Sequence, residues 1–185
     1  MELVEAIRGR RSINQFESDP VPDSILKEML QTAVWSPNHH LSEPWQFVVI
    51  RGQSLRQMAE FRKEAVLAKN REKPHAERRA EKARDDLLKV PCAIVAVQTV
   101  DENPYRAEED YAAMTMAVYN LTLVAYSHHV GTYWHTGPLV VFEPFRKWLG
   151  LRADQRIVAY LRVGYPHLIP QGRRTDGLER TRWLD

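Results

Sequence analysis

The chain has 185 residues, of which 44% are hydrophobic and 27% charged, the composition of an ordinary globular domain rather than a disordered one. Its 26 basic and 24 acidic side chains leave a net charge of +2, too slight an excess to point to nucleic acid. A single cysteine excludes an internal disulfide framework and a multi-cysteine metal site, no run approaches the roughly 18 apolar residues of a membrane span, and the N-terminal residues lack the basic start and apolar core of a secretory leader, so a cytoplasmic location is expected.

In chain order, Leu3, Val4 and Ile7 recur at helical spacing before Gly9, which predicts a short amphipathic helix ending just before Arg10-Arg11-Ser12. A second helix is predicted from Asp23, read as its cap, with Ile25, Leu26, Met29, Leu30, Ala33 and Val34 as the apolar stripe. The turn-forming run from Ser36 to Pro44 then leads into a strand over Trp45–Ile50. From about 54 to 89 the pattern is helical, with many charges of both signs and a break near Pro74, read as a solvated excursion from a single domain spanning 1–185.

The unbroken apolar run from Pro91 to Val97 predicts a strand covered on both faces, with Cys92 packed as a small hydrophobe. A long helix is predicted from Glu108 to His129, its band rich in alanine; Glu109 and Asp110 suit its dipole. Gly131–Gly137 reads as loop, Glu143–Leu149 as a short helix and Arg156–Val163 as the last strand. The polar tail from about 169 to 185 carries Arg173, Arg174 and Trp183, and is expected to dock on its own domain or across a dimer. Trp35 and Trp45 are expected in the core.

Four polar clusters fall at junctions between these elements, where loops hold functional groups on a rigid scaffold. In Arg10-Arg11-Ser12, two guanidinium groups and a hydroxyl offer a grip on a phosphate, although a solvated turn after a short helix gives the same tripeptide. The others are Ser36-Pro37-Asn38-His39-His40, Trp134-His135-Thr136, and Arg173-Arg174. Adjacent histidines lack the spaced third ligand of a zinc site, so no metal is expected.

In the order and spacing of these clusters, with Phe16, Pro20-Val21-Pro22, Pro44-Trp45 and Gly164-Tyr165-Pro166, nearly the whole chain resembles the nitroreductase family of flavin-dependent oxidoreductases. The resemblance implies an α+β fold with a central, mostly antiparallel sheet flanked by helices, and a homodimer holding FMN at its interface. Carried over residue by residue, it places Arg10, Arg11 and Ser12 at the FMN phosphate and ribityl chain, joined by Arg173 or Arg174. Ser36, Pro37, Asn38 and His40 would approach from the second subunit, and Trp134, His135 and Thr136 from the other side. Hydride would pass from NADH or NADPH through the flavin to a small acceptor such as a nitroaromatic or quinone in a ping-pong cycle, with no catalytic side chain required. The alternatives are a flavin-binding sensor or carrier without turnover and a flavin-remodelling or dehalogenating relative. Asn14 stands where many members carry a basic residue near the flavin ring; His40 or His135 is the candidate substitute.

Overall fold

The computed structural model describes residues 2–184. Its centre is an antiparallel sheet of β1 (Trp45–Arg51), β2 (Cys92–Thr99), β3 (Gly131–His135) and β4 (Gln155–Gly164), in spatial order β1-β2-β4-β3. The central strands β2 and β4 are buried along nearly their whole length, as apolar runs covered on both faces must be. Their side chains divide by the two-residue period of a strand. Cys92, Ile94 and Ala96 enter one core, while Ala93, Val95 and Val97 enter the other.

The first core is closed by α2 (Asp23–Ala33) and α5 (Pro104–Ser127), with α1 (Leu3–Gly9) lying against α5. Alanines 113, 117 and 125 of α5 are buried there, and their small side chains bring this helix close to the sheet and to α2. The second core is closed by α3 (Gly52–Lys69), α4 (Ala76–Leu88) and α6 (Glu143–Trp148). The charged segment therefore supplies core as well as surface, through Leu55, Met58, Ala65 and Leu87. Its charges pair along the outer side, as in Lys63–Glu81 at 2.5 Å and Arg84–Glu81 at 2.8 Å.

Several expectations are corrected. Trp35 is 84% exposed rather than core, and Leu3, Val4 and Ile7, the apolar residues of α1, are exposed as well. Asp23 does not cap α2; it is the first helical residue, after Pro22, and its carboxylate meets the Arg51 guanidinium at 2.5 Å. α5 begins at Pro104, earlier than the alanine band suggests, because the Asn103 side chain accepts a hydrogen bond from the Tyr105 amide at 3.0 Å. Glu109 and Asp110 consequently lie beyond its first turn. Gly131–His135 is an edge strand, not a loop. Cys92 is buried as expected, and burial pushes its thiol up to about 12. Residues 167–184 run along the surface with one short 3-10 turn at Gly177–Arg180. Among the described residues no helix is long and apolar enough to cross a membrane.

Candidate functional site

The Arg10–Ser12 loop is tied to the start of β3. Ser12 bridges Thr132, and the Ile13 amide donates to the Thr132 carbonyl at 2.9 Å. A Cβ on Gly131 would lie 2.6 Å from the Ile13 side chain, so glycine is what lets the loop approach this closely. Arg10 extends along α5 with its guanidinium carbon 5.9 Å from the centre of the Tyr119 ring. Its Nε is buried and has no hydrogen-bond partner among the described residues. Arg11 folds back, with Nη1 donating to the carbonyls of Arg8 at 2.6 Å and Arg10 at 2.8 Å. The tail crosses this guanidinium at Gly172, where a Cβ would collide with it.

Together Ile7, Arg8, Arg10, Arg11, Tyr119, Gly172 and Arg174 line an open cavity of about 620 Å³. Four of them are arginines and none is acidic. Like charges gathered together repel one another, and an anion bound in the cavity relieves that repulsion. Arg173 does not line this cavity; it lines a neighbouring surface hollow with Arg174, Asp176 and Glu179. Ser12 is exposed beside the loop.

The second cluster is anchored at the other end of α5. The buried Ser36 hydroxyl donates to the Ala113 carbonyl at 3.2 Å, so this side chain fastens the loop rather than facing a ligand. Asn38 donates through Nδ2 to Ser42 at 3.0 Å and to Asp110 at 3.3 Å, and accepts from the Glu43 amide at 2.7 Å. Asp110, only 4% exposed, also accepts from the Ser42 hydroxyl. This network holds His40, Leu41 and Glu43 at φ of 64°, 50° and 45°, left-handed conformations that persist only where surrounding contacts fix them. Pro37 and His40 are exposed, and the His40 ring stacks on His39 at 3.8 Å. His39 Nδ1 lies 2.9 Å from Glu109, so α5 supplies the third ligand-type group that adjacent histidines lacked. The His39–Glu109 hydrogen bond and the stacked rings join these three exposed groups.

Asp110 and Tyr119 are nine residues apart on α5, roughly 14 Å of helix axis. The His40 loop and Arg10 of one chain thus rest against α5 at positions about 14 Å apart along its axis.

β3 divides the third cluster. Trp134 faces the first core, half-buried against it, whereas His135 faces the second. His135 stacks on Tyr160 at 4.8 Å with an interplanar angle of 6°, and its Nε2 is buried without a partner among the described residues. Burial, with Arg162 and Arg62 nearby, pushes His135 down to about 3. His135 is therefore neutral near pH 7 and lies on the face of the sheet opposite Trp134. Thr136 is exposed in a groove with Tyr111 and Arg156, near the start of α5. Asn14 likewise lies away from the basic cavity, beside Lys82 and Arg162.

Sequence reasoning did not find Arg8, Tyr119 or Asp110. Arg8 and Tyr119 lie on helices whose polar faces have no motif; for Asp110, a carboxylate within an alanine-rich helix was the available signal.

Across residues 7–165 the sequence matches the model of the nitroreductase family. The “Putative NAD(P)H nitroreductase YfhC” of Bacillus subtilis is 29% identical over 172 residues, covering 93% of this chain and 88% of that one. A crystal structure of a nitroreductase-like family protein from Bacillus cereus is 31% identical, covers 100% of this chain and 97% of that one, and superposes with a TM-score of 0.87. A nitroreductase with bound FMN from Desulfitobacterium hafniense shares the fold, with a TM-score of 0.77 at 18% identity over 98% of this chain and 97% of that one.

Proposed function

The chain belongs to the nitroreductase family, and on that premise we propose that it is an FMN-dependent oxidoreductase, active as a homodimer, which moves hydride from NADH or NADPH to a small acceptor such as a nitroaromatic or quinone. The observation that carries this reading is the cavity of Arg8, Arg10, Arg11 and Arg174, which among the described residues has no carboxylate in its wall. A phosphate ester fits such a donor set, because several charge-assisted bonds can converge on one group. The FMN of the D. hafniense relative supports the choice of that phosphate ester.

When bound, FMN supplies the hydride chemistry itself. The protein's part is to hold and enclose. Arg10, Arg11 and Arg174 take the phosphate, and Ser12 lies beside them for the adjoining chain of hydroxyls. Trp134, near the end of β3, and Thr136, just after it, would limit where the flavin ring rests. The loop from Asn38 to Glu43 would come from a second copy, since in one chain it rests on α5 about 14 Å along the axis from the position under Arg10.

Exposed apolar residues support the homodimer. Leu3, Val4 and Ile7 on α1, Trp35, and Leu178, Trp183 and Leu184 on the tail all face outward. An amphipathic helix whose apolar stripe faces solvent has an unpaired surface. Purified protein should be yellow, bleach anaerobically with NADH or NADPH, regain colour on addition of a nitroaromatic or quinone, and run as a dimer. A colourless protein that refuses FMN overturns the proposal. A monomer that binds FMN tightly overturns the shared site.

A further inference from the structure

On the opposite side of the Arg10–Ser18 segment lies a larger cavity, of about 780 Å³, between that segment, the end of α4 and β4. Its wall includes Arg162, an arginine on a central strand that is only 5% exposed. The Arg162 guanidinium donates through Nη1 to the Asp86 carbonyl at 3.2 Å, while its Nε is buried with no partner among the described residues. It sits 4.6 Å from the centre of the Tyr133 ring and 5.6 Å from that of Phe16. Those ring faces offset part of the burial cost of the charge, but they accept no N–H at the guanidinium edge.

The other charges in the wall already have partners. Asp86 takes Lys82 at 2.7 Å and lies 3.8 Å from Lys89, and Glu17 takes His167 at 2.6 Å. Arg162 is the one cation of this wall without a carboxylate within salt-bridge distance among the described residues. Burial, and then the nearby Arg62 guanidinium, disfavour the Arg162 charge, and the Asp86 carboxylate favours it more weakly. A buried cation without a directly paired carboxylate, beside an open cavity, is a costly arrangement that an anion relieves.

We propose that this cavity is a second ligand site, distinct from the basic cavity at Arg10, and that it takes a small organic anion through a single carboxylate paired with Arg162. The charge follows from the count of free cations. One guanidinium is available, and a phosphate dianion would need a lysine that Asp86 holds. The exposed Asn14, Gln15 and Ser18 line the same cavity and offer amide and hydroxyl groups to the polar body of the ligand.

The test is thermal unfolding of the FMN-saturated protein in sodium acetate against sodium chloride at fixed pH and ionic strength, with inorganic phosphate in parallel. Acetate at about ten times its apparent dissociation constant should raise the melting temperature by about 3 to 6 °C, saturably. Arg162→Met should abolish that rise. No saturable rise, or the same rise in Arg162→Met, overturns the site, and a larger rise with phosphate overturns the single-carboxylate assignment. Should Arg162→Met not fold, Asp86→Asn decides. Freeing both lysines should tighten acetate binding about tenfold and admit phosphate, and unchanged or weaker binding of both overturns the proposal.

Discussion

Replacing Arg10 by alanine tests the basic cavity through two effects of opposite sign. In the flavin-free protein, Arg10 Nε is buried without a partner and its charge is crowded by Arg8, Arg11 and Arg174. Removing it deletes an unsatisfied donor and a source of repulsion, so the flavin-free melting temperature should stay level or rise. With FMN, the same substitution deletes a charge-assisted contact worth about 1.5 to 3 kcal/mol. At about 1.4 kcal/mol per factor of ten, affinity should fall roughly 10- to 150-fold. Arg10→Lys keeps the charge but not the planar fork and should fall between. Quenching of FMN fluorescence on titration gives the dissociation constants, and thermal melts of flavin-free protein give the stabilities. Unchanged FMN affinity in Arg10→Ala would refute the placement of the phosphate. A loss of affinity accompanied by an equal loss of flavin-free stability would refute the claim that Arg10 is held ready rather than structural.

His135 is pushed down to about 3 in the folded protein against an ordinary value near 6.5, so below pH 6.5 the unfolded chain binds a proton that the folded one refuses. Stability should therefore decline as pH falls from 6.5 toward 3, by about 1 kcal/mol at pH 5 after allowance for solvent screening of the half-buried ring; urea melts of His135→Gln should lack this slope, and an identical slope would contradict it. Cys92, buried with its thiol pushed up to about 12, should not react with an aromatic disulfide reagent in native protein and should react once per chain in denaturant; rapid native labelling would show that β2 opens. Asp110→Ala removes the buried acceptor shared by Asn38 and Ser42 and should cost about 1 to 3 kcal/mol in denaturant unfolding, with faster proteolysis at residues 38–43; an unaltered cleavage pattern would mean that the loop holds its left-handed residues without Asp110.

What could be read from the sequence depended on whether one period or one junction carried the information. The central strands, α2 and α6 were legible from apolar runs and helical spacing, and the basic tripeptide from its chemistry. Leu3, Val4 and Ile7 had the right period, but period alone does not say whether a stripe faces its own core or another surface. Gly131–His135 looked like a loop because a five-residue strand between glycines carries too little alternation to register. Once it is a strand, the separation of Trp134 from His135 follows from geometry. Ser36 and Asn38 were found as polar loop residues, yet their partners Ala113 and Asp110 are more than 70 positions away in the chain, and no local signal joins them. Arg162 left only one trace, a charge inside an apolar run.

α5 has a further consequence. It carries Asp110, which sets the His40 loop, and Tyr119, which lies under Arg10. In a symmetric pair each copy of the helix would then act as a gauge, fixing where its own half-site ends and where the loop offered to its neighbour begins. One residue inserted between positions 110 and 119 would turn one end by roughly 100° against the other. The fit between copies would then set the length of this stretch, which should tolerate substitution on its outer face far better than any change in count.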